Sequence, residues 1–228
     1  MNHLQAGRAV SALRPRGPVL PAALAIIYVV AWVAGLMVSP VGADVTASTA
    51  QVITSYLAQR GVATASYLLT EGVAAVALAG VVITLWQAAR RRHAGSSASL
   101  TLSAGLVAAG ISMLQCVTGL FIVWWSAPSG QIRLAGTLLD LVNRIDGLKM
   151  GVLAVMAISA LALVRRPRVL PHISAYLGLA LAIALVASGV GYLLLIGPLL
   201  RAAFVSLPLL LLWVLLVGCV LSFRVGRD

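Results

Sequence analysis

Acid is scarce in this chain: five Asp and Glu residues stand among 228, against sixteen Lys and Arg. Charged residues of both signs together make only 9%, where soluble domains carry about 25%. Too little charge is available to clothe a water-soluble globule. Lysine is scarcer still, because Lys149 is the only one and the other fifteen basic residues are Arg. Cysteine is confined to Cys116 and Cys219, in different long apolar runs and without a CxxC pair. Both read as small packing residues, not as a disulfide or a metal pair. His3, His93 and His172 lack ligand spacing, so no metal site and no cofactor are expected. GxSxG, HExxH, a Gly-rich phosphate loop and paired acids at membrane depth are all missing, and no enzyme is expected.

What is there is apolar. Hydrophobic residues make 61% and the mean hydropathy is +1.06. The length suits about six spans of about 20 residues with short loops and no separate soluble domain. The pattern predicts an all-α polytopic membrane helix bundle with six transmembrane helices. They are expected at residues 19–38, 67–89, 100–125, 146–164, 173–196 and 202–223, between a basic arm at 1–18 and a tail at 224–228. The arm, the first apolar run and Val41–Gly42–Ala43 also resemble a signal peptide. The run is about 20 residues, longer than the 7–15 of a signal h-region, so the first span is expected to be retained. Between spans 1 and 2, Ile53, Tyr56, Leu57 and Arg60 recur at helical spacing. They predict a surface-lying amphipathic helix over Thr46 to Arg60, closed by Gly61.

A formal charge of +11 invites a nucleic-acid reading. Its distribution argues against that partner, because the arginines cluster at the ends of apolar runs. Arg8, Arg14, Arg16, Arg90, Arg91, Arg92, Arg165, Arg166, Arg168, Arg224 and Arg227 fall on one side of a six-span topology. Arg60, Arg133, Arg144, Lys149 and Arg201 fall on the other. Basic residues mark cytoplasmic loops, so both termini are expected in the cytoplasm, in a multi-pass protein of the inner (plasma) membrane. The expected partners are the lipid bilayer and anionic head groups at the cytoplasmic Arg clusters.

Small residues predict packing faces: Ala104, Ala108 and Ser112 in span 3, Gly147 and Gly151 in span 4, and Ala180, Ala184 and Ser188 in span 5. Such faces let helices approach closely in lipid. Span 6 lacks an evident stripe and is expected to face lipid. The GxxxG pair of span 4 supports a non-catalytic protein that packs with itself or with a membrane partner.

The polar residues carry the alternative. Glu71–Gly72 precedes Arg90–Arg91 by nineteen residues, and Asp146–Gly147 precedes Arg165–Arg166 by the same interval, an echo of repeated hairpins. Nineteen residues at 1.5 Å span about 28 Å, which puts both acids at the outer boundary of the hydrocarbon. As anchors they would sit in first helical turns, favoured by the dipole, with Asp140–Arg144 and Asp146–Lys149 pairing along one helix and Lys149 snorkelling outward. As a site, the candidate polar cluster is Glu71, Gln115, Asn143, Asp146, Lys149 and Arg201. That reading makes the chain a small transporter or ion-coupled carrier. Against it, spans 2 and 4 carry no proline at mid-depth, unlike the broken helices of many carriers.

Several stretches carry a family resemblance: Ala43–Asp44 followed by Thr46–Ala47–Ser48–Thr49–Ala50, Tyr56–Leu57–Ala58–Gln59–Arg60–Gly61, Arg168–Val169–Leu170–Pro171, and Leu177–Gly178. In these the chain resembles the six-span bacterial membrane proteins of domain of unknown function 4386, over most of spans 1 to 5. Span 4 departs from that pattern by carrying charges. The resemblance implies the same six-span fold, and no activity or site residues.

Overall fold

A computed structural model describes residues 19–38, 48–165 and 169–224. The basic arm, residues 39–47 with Asp44, Arg166 to Arg168, and the last four residues lie outside the described residues. Within them all regular structure is helical.

Helix α1 (Leu20–Met37) opens with Pro21 in its first turn, where a missing N–H costs nothing. Helix α2 (Thr49–Ala58) starts with a reciprocal cap. The Gln51 backbone N–H donates to Ser48 Oγ, and the Ser48 N–H donates to Gln51 Oε1 at 2.8 Å. The helix ends at Gln59, whose backbone leaves the helical region (φ −132°, ψ 52°), and a new helix begins at once. Gly61 is thus the second residue of α3 (Arg60–Tyr67) and not the expected stop.

A π-helical turn over Leu68–Val73 joins α3 to α4 (Ala74–Arg91), making one rod of 32 residues that starts seven residues before the expected span. Helix α5 (Gly95–Phe121) also ends in a π-helical turn, Ile122–Ser126. Helix α6 (Ile132–Arg165) starts fourteen residues before the expected span and takes in the polar approach from Ile132 onward. No proline interrupts that approach, and its charges alternate with Leu, Val and Ile. Helix α7 (His172–Leu194) closes on Leu195 in the left-handed region (φ 55°). The short α8 (Gly197–Leu200) leads into α9 (Ala203–Arg224), which contains Pro208. Among the described residues six helical segments are long and apolar enough to cross a membrane, with mean hydropathy 2.1 to 2.7 in their best windows. The protein is an integral, multi-pass membrane protein.

The helices pack in a closed ring, in the order α1, α4, α5, α6, α7, α9 and back to α1. One half of the ring, ending at Arg90, Arg91 and Arg165, is filled solidly by Leu85, Met156, Leu163, Leu181, Leu185, Trp213 and Leu221. Hydroxyls add cross-ties: Thr101 to Ser159 at 2.9 Å, Ser188 to Ser206 at 3.2 Å, and the Ala22 N–H donating to Ser222 Oγ at 3.0 Å. In lipid such bonds help to hold helices together.

The packing faces differ in part from expectation. Ala104, Ala108 and Ser112 are buried, as their spacing predicts. On α7 the buried side is Ser174, Gly178, Ser188 and Gly189, while Ala180 is exposed and Ala184 half-buried. Helix α9 does not simply face lipid: Leu210, Trp213, Val214, Val217 and Leu221 are buried between α1 and α7. The small residues permitting this are Gly178 beneath Trp213, and Gly218, which meets Pro21 and Ala25 of α1. The span 4 pair divides. Gly147 lies against Gly189 of α7, whose carbonyl would stand 2.7 Å from an added Cβ, whereas Gly151 faces open space.

Candidate functional site

The half of the ring away from Arg90, Arg91 and Arg165 is hollow. A cavity of about 540 Å³ lies there, bounded by every element of the ring, with α2 across its rim. Its walls are aliphatic and aromatic, and charge is gathered in one place.

That place is built from α6, α5 and the π-helical turn. Single π turns recur at functional sites, and this one holds Glu71 in the interior, 8% exposed. Lys149 of α6 is 5% exposed, and its Nζ donates to Glu71 Oε1 at 3.1 Å and Oε2 at 2.9 Å. The same Nζ stands 2.7 Å from Asp146 Oδ1, one helical turn back. Gln115 of α5 donates through Nε2 to Asp146 Oδ1 and to the Val142 carbonyl, each at 3.2 Å. Lys149 therefore does not snorkel. Three carboxylate oxygens surround its ammonium, which satisfies a buried cation better than any path along an apolar helix.

Four of the six candidate residues, Glu71, Gln115, Asp146 and Lys149, come together. Asn143 lines the cavity one turn before Asp146. Arg201 is exposed between α8 and α9, outside the cluster. Arg144 reaches the Leu193 carbonyl of α7 at 3.1 Å instead of pairing with Asp140. The acids also do not occupy first helical turns. Helix α3 begins eleven residues before Glu71 and α6 fourteen before Asp146, beyond the reach of a terminal dipole. The two acids of the sequence echo converge on one lysine, but Glu71 lies in a π turn and Asp146 in regular α-helix.

Sequence reading missed the aromatic wall. Tyr28 and Trp32 of α1, Tyr56 of α2, Tyr67 of α3 and Tyr192 of α7 all line the cavity. Trp32 faces the charges, with Lys149 Nζ 5.9 Å from its ring centroid. The Tyr56 and Tyr67 hydroxyls are 3.0 Å apart, and their rings meet edge to face. Tyr67 is seated on Gly119 of α5, where any side chain would strike its ring. Burial pushes the Tyr56 phenol above its ordinary pKa, so it stays a neutral hydrogen-bonding group. One sign was available in the sequence: Tyr28, Trp32 and Leu36 recur four apart on one face of span 1.

Among the described residues two buried side-chain polar atoms have no hydrogen-bond partner, Gln115 Oε1 and Ser126 Oγ. Among the described residues no group of three His, Cys, Asp or Glu side chains is placed to hold a metal. No family model, no curated protein and no solved structure matches this chain.

Proposed function

We propose that this membrane protein is a non-catalytic binding protein of the small-carrier type, taking a small amphiphilic molecule into the cavity of its ring. The observation behind it is the meeting of an ion triad and an aromatic wall in one cavity of about 540 Å³. Ligand sites are typically hollows of about 300–1,000 Å³, mostly apolar, with a few convergent polar groups. Ionisable residues inside a membrane are costly unless they are paired, and they mark ligand or ion paths. The arginine end faces the cytoplasm in this reading, with both termini there and anionic head groups against the Arg clusters. The membrane is the bacterial plasma membrane, in keeping with the resemblance to domain of unknown function 4386. Reporter fusions at Gly95 and Ser129 test the orientation, and an external signal at Gly95 overturns it.

Intrinsic tryptophan fluorescence, with Trp32 in the cavity wall, tests the binding itself. The purified protein in lipid nanodiscs is titrated with a cationic, an anionic and a neutral amphiphile, against empty nanodiscs. At least one of the three should change the emission saturably and raise the unfolding temperature. No response to any of them overturns this reading.

A second reading, assembly with another copy or a membrane partner, has one supporting observation. Gly151 lies on an outward face of α6 beside exposed Leu148, Val155 and Ile158, with open space where a side chain would be.

A further inference from the structure

We infer that the cavity selects a lipophilic monovalent cation, an inference that rests on the binding reading above and names its ligand class. Charge is the first ground. Glu71, Asp146 and Lys149 carry two negative formal charges and one positive, leaving an excess of one negative charge beside the cavity. In a low-dielectric interior a single unbalanced charge is costly, and a counter-charge is drawn to it strongly.

Donor supply is the second ground. An anion needs hydrogen-bond donors, and those outside the ion network are neutral ones, the Asn143 amide and the Tyr28 and Tyr192 hydroxyls, because the Lys149 ammonium is already turned to Glu71 Oε1, Glu71 Oε2 and Asp146 Oδ1. The Gln115 amide is likewise engaged with Asp146 and the Val142 carbonyl. Acceptor capacity is left over. Asp146 lines the cavity, its side chain is 19% exposed, and its contacts with Lys149 and Gln115 both fall on Oδ1.

The wall is the third ground. Trp32, Tyr28 and Tyr192 share the lining with Asp146, and Trp32 already stands within range of one ammonium. Ring faces attract cations and repel anions through their quadrupole. A hydrophobic cation would neutralise the excess charge at Asp146 and bury its apolar body against rings and aliphatic side chains.

Two ions of nearly the same shape and opposite charge decide it: tetraphenylphosphonium and tetraphenylborate. Each is titrated into the wild-type protein in nanodiscs, with empty nanodiscs subtracting lipid partition, and a neutral amphiphile runs alongside. Tetraphenylphosphonium should bind at least roughly tenfold more tightly than tetraphenylborate, and Asp146→Asn should remove roughly tenfold of that affinity, a larger loss than it causes for the neutral amphiphile. Equal or reversed affinities overturn the cation inference and leave the cavity reading standing. Failure of all three probes overturns both. The comparison of the two ions uses only wild-type protein, so it decides the matter even where Asp146→Asn fails to fold.

Discussion

Lys149 and Glu71 stand 78 residues apart in the chain, yet the ammonium of one is 2.9 Å from the carboxylate of the other. This contact ties α6 to the π turn before α4 across the ring. It also explains how the only lysine in the chain comes to be buried in the protein interior. With Asp146 at 2.7 Å on its other side, the lysine is the hub of a buried triad.

Removing the hub should cost more than removing the whole network. Lys149→Met leaves two acids facing each other without a cation, a loss expected at about 3–5 kcal/mol. The triple change Lys149→Met, Glu71→Gln, Asp146→Asn removes every charge and should regain most of that loss. Thermal unfolding in detergent reads both. Wild-type stability in Lys149→Met would show that the triad does not hold the helices together.

The spans were legible because lipid demands long apolar helices with every backbone group satisfied within the segment. Their lengths were not, since α3 and α6 run past the apolar stretch into Arg60 and Ile132, where polarity no longer forbids a helix. Glu71, Asp146 and Lys149 stood out as charges next to membrane-length runs, and their spacing placed Asp146 beside Lys149. The reach from Lys149 to Glu71 was not readable, because it depends on α4, α5 and α6 being neighbours in the ring. Arg201 was misplaced for a related reason: its place in the sequence resembles a helix end near the cluster, but α8 turns it outward. The cavity left no trace in the sequence beyond the Tyr28–Trp32–Leu36 face. A hollow is a property of what surrounding helices fail to fill.

The two glycines of the GxxxG pair should separate by experiment. Gly147→Ala puts a Cβ 2.7 Å from the Gly189 carbonyl and 2.8 Å from the Leu193 backbone nitrogen. Forcing α6 and α7 apart should cost about 1–3 kcal/mol. Gly151→Ala meets nothing within 4 Å and should stay within about 0.5 kcal/mol of wild type in stability. Gly151→Leu then isolates assembly from folding. In crosslinking within native membranes it should abolish any higher-order species if that face joins copies. Unchanged crosslinking would remove the assembly reading.

Cation affinity should depend on pH, with a sign set by which groups can take up a proton. The titratable side chains facing the site are Tyr28 of α1, Tyr56 of α2, Tyr67 of α3, Glu71 of the π turn, Cys116 of α5, Asp146 and Lys149 of α6, and Tyr192 of α7. Phenols, thiols and ammonium groups already hold their protons at neutral pH, so acidification leaves them unchanged. Glu71, held in the interior of the network, is the carboxylate that can take up a proton. A proton there cancels the excess negative charge that would attract a lipophilic cation. Proton and cation therefore compete, and affinity for tetraphenylphosphonium should fall as pH is lowered. Exchange of one proton for one cation limits the effect to about tenfold per pH unit. The neutral amphiphile should show no such slope, and Glu71→Gln should flatten the cation's profile. Titrations of wild type and this variant at several pH values measure it. A flat wild-type profile, or a slope that survives in Glu71→Gln, would exclude this carboxylate as the source of the pH dependence.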